Sequence, residues 1–166
     1  VLGRDHLRKV VEWAAPLAPD VVFLTGDILG DPRSSRRCLD LLARLRPALG
    51  TFAVTGNHEY GLSKGPLARI RRTDDVWTAA GITLLQDSCV DLPPRNGSTL
   101  TICGADYLSA GAGLLSAVPQ RSAAPHGGAS SLLLIHEPPP ADSPLSSSFD
   151  LAFAGHTHGG QLRVPG

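Results

Sequence analysis

Val21-Val22-Phe23-Leu24-Thr25-Gly26-Asp27 decides the fold. Four apolar residues make a run of buried-strand length, and the run ends in Gly-Asp with no hairpin signal after it. Upstream, Leu7, Val10, Val11 and Ala14 recur at helical spacing, and Pro16 and Pro19 stop that helix. Downstream, Leu39, Leu42 and Leu45 mark a second helix, which Ser34 or Ser35 can cap and Pro47 and Gly50 close. A second strand, Thr51 to Val54, then runs into Thr55-Gly56-Asn57-His58-Glu59. Pro66 opens a third helix through about Ala80, and Gly81 is placed to end it. Helix and strand alternate, which predicts an α/β layered domain.

The second half reads as richer in strands. Ile82 to Leu85, Cys89 to Leu92 and Thr99 to Cys103 are short runs, and Pro93-Pro94-Arg95-Asn96-Gly97 reads as a hairpin turn. Residues 108–130 are rich in Ala, Gly and Ser, and suggest a weak helix near Gly113 to Val118 followed by a loop. Leu132 to Ile135 and Leu151 to Ala154 are expected to be two further buried strands, ending at His136 and Gly155.

Composition limits the function. The chain has 166 residues, 42% hydrophobic and 18% charged, which suits one packed domain over residues 1–166. Fifteen basic groups balance fifteen acidic ones, so no overall cationic field points to nucleic acid. The longest apolar runs are of strand length, short of the roughly 20 residues of a membrane helix. The absence of Met suggests a fragment or a processed product. Cys38, Cys89 and Cys103 show no zinc-type spacing, and buried free thiols are the expectation.

Four strands finish in the same kind of chemistry: Gly26-Asp27, Gly56-Asn57-His58-Glu59, His136 and Gly155-His156-Thr157-His158. Ligands of α/β sheets bind at the carboxyl ends of strands, so these groups are expected to converge. Carboxylate, carboxamide oxygen and imidazole suit Mn, Fe or Zn better than a thiolate-seeking metal. Each glycine lets the backbone turn off its strand and approach a cation. Alone, Asp27 reads as a turn residue and any one histidine as an ordinary side chain. Together, four of the six histidines fall in strand-end motifs, which that bland reading does not explain.

In order and kind these motifs resemble the calcineurin-like metallophosphoesterases. That family's pattern is Asp-x-His, Gly-Asp, Gly-Asn-His-Glu/Asp, a lone His and Gly-His-x-His. The phrases Val54 to Tyr60 and Gly155-His156-Thr157-His158-Gly159-Gly160-Gln161 look like the branch of membrane-anchored phosphoesterases. The resemblance implies a β-sandwich flanked by helices, an αββα arrangement. It implies two divalent transition-metal ions (Mn, Fe or Zn) and attack on phosphorus by a metal-bridging hydroxide. One ion would be held by Asp27 as bridge with Asn57, His136 and His156, and the other by Asp27 and His158. His58 would contact the phosphoryl oxygens or protonate the leaving group, and Glu59 would orient it. The first motif, Asp-x-His, does not occur in these 166 residues, and Asp5-His6 is no substitute. A domain truncated at both ends, with impaired activity, is therefore expected.

The expected partner is a small phosphoester or phospholipid-type substrate, with membrane association only through segments outside these residues. A non-catalytic metal-binding or protein-interaction module on the same fold is the competing class.

Overall fold

The computed structural model describes residues 4–29, 32–61, 74–111, 129–140, 142–143 and 145–157. Among these, β1 (Val22–Leu24), β2 (Thr51–Ala53) and β3 (Ile82–Leu84) form a parallel sheet in the order β1-β2-β3. A second sheet has the order β4-β5-β6-β7, built from β4 (Ser88–Asp91), β5 (Thr99–Gly104), β6 (Ala129–Ile135) and β7 (Leu151–Ala154). β4 and β5 are antiparallel across the expected turn, which closes with the bridge Arg95↔Ser98. β5, β6 and β7 are parallel.

Strand alternation explains the layers, since neighbouring residues point to opposite faces. Ala53 faces a cluster with Leu24, Ile82, Trp77 and the helix residues Val11, Leu39 and Leu42. Its neighbours Phe52 and Val54 face a second cluster with Leu85, just after β3, and with Leu92, Ile102 and Leu134 from the other sheet. Phe23 of β1 lies 5.3 Å from Phe153 of β7, ring to ring, so the two sheets also touch at those strands. On the far side of the second sheet, Cys103, Leu133 and Ile135 pack with Leu145 of α5 (Leu145–Ser148). The result is a mixed α/β sandwich with helices outside, as the resemblance implies.

α1 (Arg4–Ala14) ends in a 3-10 turn over Ala15–Leu17, with Pro16 inside it. α2 (Pro32–Leu42) starts at Pro32, earlier than Ser34 or Ser35, because proline's fixed φ suits the first helical position. Of the third predicted helix, α3 (Asp74–Ala79) is described, and Gly81 follows it at φ 70°, the left-handed conformation of a helix stop. The part from Pro66 lies outside the described residues, as does the helix expected near Gly113. A short α4 (Tyr107–Gly111) follows β5 directly.

Two expectations are corrected. β7 is not buried: Leu151 is 50% exposed and Phe153 38%, and among the described residues β7 pairs with β6 alone. Cys89 and Cys103 are not free thiols. They face each other across the β4–β5 ladder and form a disulfide, which does not include Cys38. Directly opposed residues of an antiparallel pair bring their Cβ atoms within bonding reach of two sulfurs.

Candidate metal centre

The carboxyl ends of β1, β2, β6 and β7 meet where the two sheets abut. Each contributes one polar group there. Val54 N–H donates to Leu24 C=O, and Gly155 N–H to His136 C=O, so adjacent strand ends are tied before the side chains are placed. The exits are tight. Gly26 has φ 91°, and a Cβ on it would stand 2.6 Å from His136 Nδ1. A Cβ on Gly56 would stand 2.7 Å from His136 Cε1 and would also strike the Asp27 carboxylate. Only glycine leaves room for the groups that follow it.

Asp27, His136 and His156 each offer one ligand atom, and these atoms lie within 4.8 Å of one another. His136 Nε2 is the hub: it is 3.4 Å from Asp27 Oδ2, 3.2 Å from Asn57 Oδ1 and 3.1 Å from His156 Nδ1. Its other nitrogen is 2.7 Å from Thr25 C=O, an acceptor, so Nδ1 carries the proton and donates. That bond fixes the tautomer that leaves Nε2 free for a cation.

The donor set fits a divalent transition metal. A carboxylate, a carboxamide oxygen and two imidazole nitrogens point inward, and no cationic side chain stands among them in the described contacts. Asn57 reports the same tension. Its Oδ1 faces only acceptors, and turning the amide would give hydrogen bonds of 3.2 Å to both Asp27 oxygens and to His136 Nε2. The turned amide suits the metal-free site, whereas a cation makes oxygen-inward the favourable orientation.

Protonation responds to the same crowding. Burial alone would raise the Asp27 pKa, but hydrogen bonds from His136 and the His58 N–H, with the charges of both imidazoles, hold it below its ordinary 3.8. Burial alone would lower His136, yet the Asp27 and Thr25 contacts and the charges of Asp27 and Glu59 raise it above 6.5. Both shifts arise chiefly from the Asp27–His136 pair, 3.4 Å apart.

His58 is placed beside this cluster. Its backbone N–H donates to Asp27 Oδ1 at 2.9 Å, and its imidazole Nε2 is 3.9 Å from Asp27 Oδ2. Glu59 has a backbone role that its sequence position did not suggest. Its carboxylate is buried and accepts four backbone N–H groups, from Asp27, Ile28, Leu29 and Gly56, at 2.7–2.8 Å. Glu59 therefore ties the loop after β1 to the loop after β2, which sets the distance between Asp27 and Asn57. His158 lies outside the described residues.

Sequence reasoning missed three residues at this place. Asp106, after β5, is buried and accepts from Thr55 Oγ1 at 2.7 Å, Tyr60 OH at 2.5 Å and Gln86 Nε2 at 3.2 Å, bracing the loop after β2 from behind. Burial, then Asp106, pushes the Tyr60 hydroxyl far above its usual pKa, so it remains a donor. Tyr107 sets its ring edge-on to His136 at 5.7 Å and donates to Glu137 Oε1 at 3.4 Å. Glu137 Oε1 is in turn 3.3 Å from His156 Nε2. Gly104-Ala105-Asp106 was the available signal, since it ends a strand as Gly26-Asp27 does.

Comparison with known proteins bears on this centre. The profile of the calcineurin-like phosphoesterase family matches residues 3–160. An uncharacterized metallophosphoesterase of Bacillus subtilis is 29% identical over 97% of this chain and 54% of its own length. A putative metallophosphoesterase of Caenorhabditis elegans is 32% identical, covering 97% of this chain and 34% of its own. A zebrafish (Danio rerio) transmembrane protein with metallophosphoesterase domain is 30% identical, at 97% and 38%. The chain spans about half or less of the length of these relatives.

Proposed function

Because the chain belongs to the calcineurin-like phosphoesterase family, we propose that its strand-end centre holds divalent transition metal and hydrolyses phosphoesters. The observation that carries this is the convergence of Asp27, His136 and His156 donor atoms within 4.8 Å, with the Asn57 carboxamide beside them. Four inward acceptors repel one another unless a proton or a cation stands between them.

The residues divide the work. Asp27, Asn57, His136 and His156 hold one ion. A second would draw on Asp27 and His158, with further donors from outside these 166 residues. Manganese, iron or zinc matches the oxygen and nitrogen donors. When bound, such ions neutralise phosphoryl charge and lower the pKa of the attacking water. Thr25 and Glu59 keep His136 and the two loops in place. His58, held by its own backbone bond to Asp27, faces the substrate and handles the phosphoryl oxygen or the leaving group. The substrate class is a small or phospholipid-type phosphoester. Membrane association, in keeping with the transmembrane zebrafish relative, would come from segments beyond these residues; among the described residues no helix is long and apolar enough to cross a membrane.

A Mn-supplemented assay of the full-length protein on aryl phosphomonoesters and phosphodiesters tests the reading. Hydrolysis should vanish in Asp27→Ala together with bound metal. In His58→Ala, turnover should fall about 100-fold while metal content stays, as expected for a proton-transfer group. Metal binding without hydrolysis would favour the non-catalytic module instead.

A further inference from the structure

We infer that Glu137 is a positioning residue that turns the exposed His156 ring so that Nδ1 faces the metal, with Tyr107 bracing Glu137 from the other side. This rests on the metal-centre reading above. His136 and His156 reach the centre through different nitrogens, Nε2 and Nδ1, so their outward nitrogens differ as well. His136 is buried and its outward Nδ1 is fixed by Thr25 C=O. Among the described residues no backbone carbonyl does the same for His156: its side chain is 42% exposed, and its backbone sits at φ 61° on a loop.

An exposed imidazole on a left-handed residue can rotate, and rotation exchanges a ligand nitrogen for a carbon. The group that stops it lies one residue after His136. Glu137 Oε1 stands 3.3 Å from His156 Nε2, on the side of the ring away from His136. A carboxylate there takes the N–H at Nε2 and selects the tautomer whose lone pair is on Nδ1. Tyr107 OH donates to the same Oε1 at 3.4 Å, while its ring stands against His136, so one side chain touches both halves of the device. The consecutive residues His136 and Glu137 thereby serve the same centre from opposite sides: one as a ligand, the other by steering a ligand carried on a different strand.

The test is calorimetric titration of the full-length, metal-free protein with Mn²⁺, paired with the visible spectrum of the Co²⁺ form and the melting temperature without metal. Glu137→Ala should weaken Mn²⁺ binding about 10- to 100-fold and alter the Co²⁺ spectrum, leaving the metal-free melting temperature unchanged. Glu137→Gln keeps an oxygen that can accept from Nε2–H, and should stay within about 3-fold of the unaltered protein. Parent-like affinity in Glu137→Ala would overturn the inference and leave the metal reading standing. Equal losses in the Ala and Gln variants would also overturn it, because charge and not orientation would then matter. Absence of Mn²⁺ binding by the unaltered protein would overturn both.

Discussion

Asp27 and His156 sit at φ 59° and 61°, a region L-residues enter at a cost, and both aim side chains at the same point. Gly26 before Asp27 takes φ 91°, and the glycines at 26 and 56 leave no space for a methyl group. Gly56→Ala should therefore destabilise the protein by roughly 1–3 kcal/mol, since backbone or His136 must move, and metal affinity should fall with it. A urea melt showing parent-like stability would mean the loop relaxes freely. Proton competition gives a second expectation at this scale. His136 holds its proton above the ordinary 6.5, and a metal must displace it from Nε2. Mn²⁺ affinity should decline as pH falls, with the decline beginning above pH 6.5; a flat affinity between about pH 8 and 6 would contradict this. The strand-end residues were readable because each ends an apolar run. Tyr107 and Glu137 were not, because a tyrosine after a strand and a glutamate after a histidine carry no spacing signal until the strands are ordered.

At the level of elements, the periodicity of α1, α2 and the strands was legible, since apolar spacing reflects which face is buried. Boundaries and burial depended on partners. β6 begins at Ala129, inside a stretch whose small residues give no strand signal, because Thr99 and Leu100 supply hydrogen-bonding neighbours. β7 looked buried from Leu151-Ala152-Phe153-Ala154 and is exposed, because an apolar run does not show what covers its faces. The disulfide is likewise a register effect: Cys89 and Cys103 are 14 residues apart and meet only because the hairpin pairs them. In denaturant without reductant, the chain's three cysteines should therefore yield one reactive thiol, that of Cys38, and all three should react after reduction. Three thiols before reduction would exclude the bond.

The whole molecule places one centre on two sheets. Asp27 and Asn57 leave the first sheet; His136 and His156 leave the second. Between the sheets lie Phe52, Val54, Leu85, Ile102 and Leu134, a contact that is apolar and non-directional, so it resists separation without fixing the relative slide of the strand ends. An ion bound by all four residues, as proposed, would add directional bonds across that seam. It would bind the folded state and find no such site in the unfolded chain, so its binding free energy would become folding free energy. At a metal concentration about 100-fold above Kd the gain is about 2.7 kcal/mol. For a domain of this size that raises the melting temperature by roughly 5–10 °C. Asp27→Ala removes the one anionic ligand of the set and should abolish the metal-dependent rise, with EDTA doing the same to the unaltered protein. Hydrogen exchange separates a cross-sheet clamp from a local one. Metal should slow exchange both at the Val54 amide, bonded to Leu24, and at the Gly155 amide, bonded to His136. Slowing on one sheet alone would mean that the ion is held by that sheet's residues and that the four ligands do not act together.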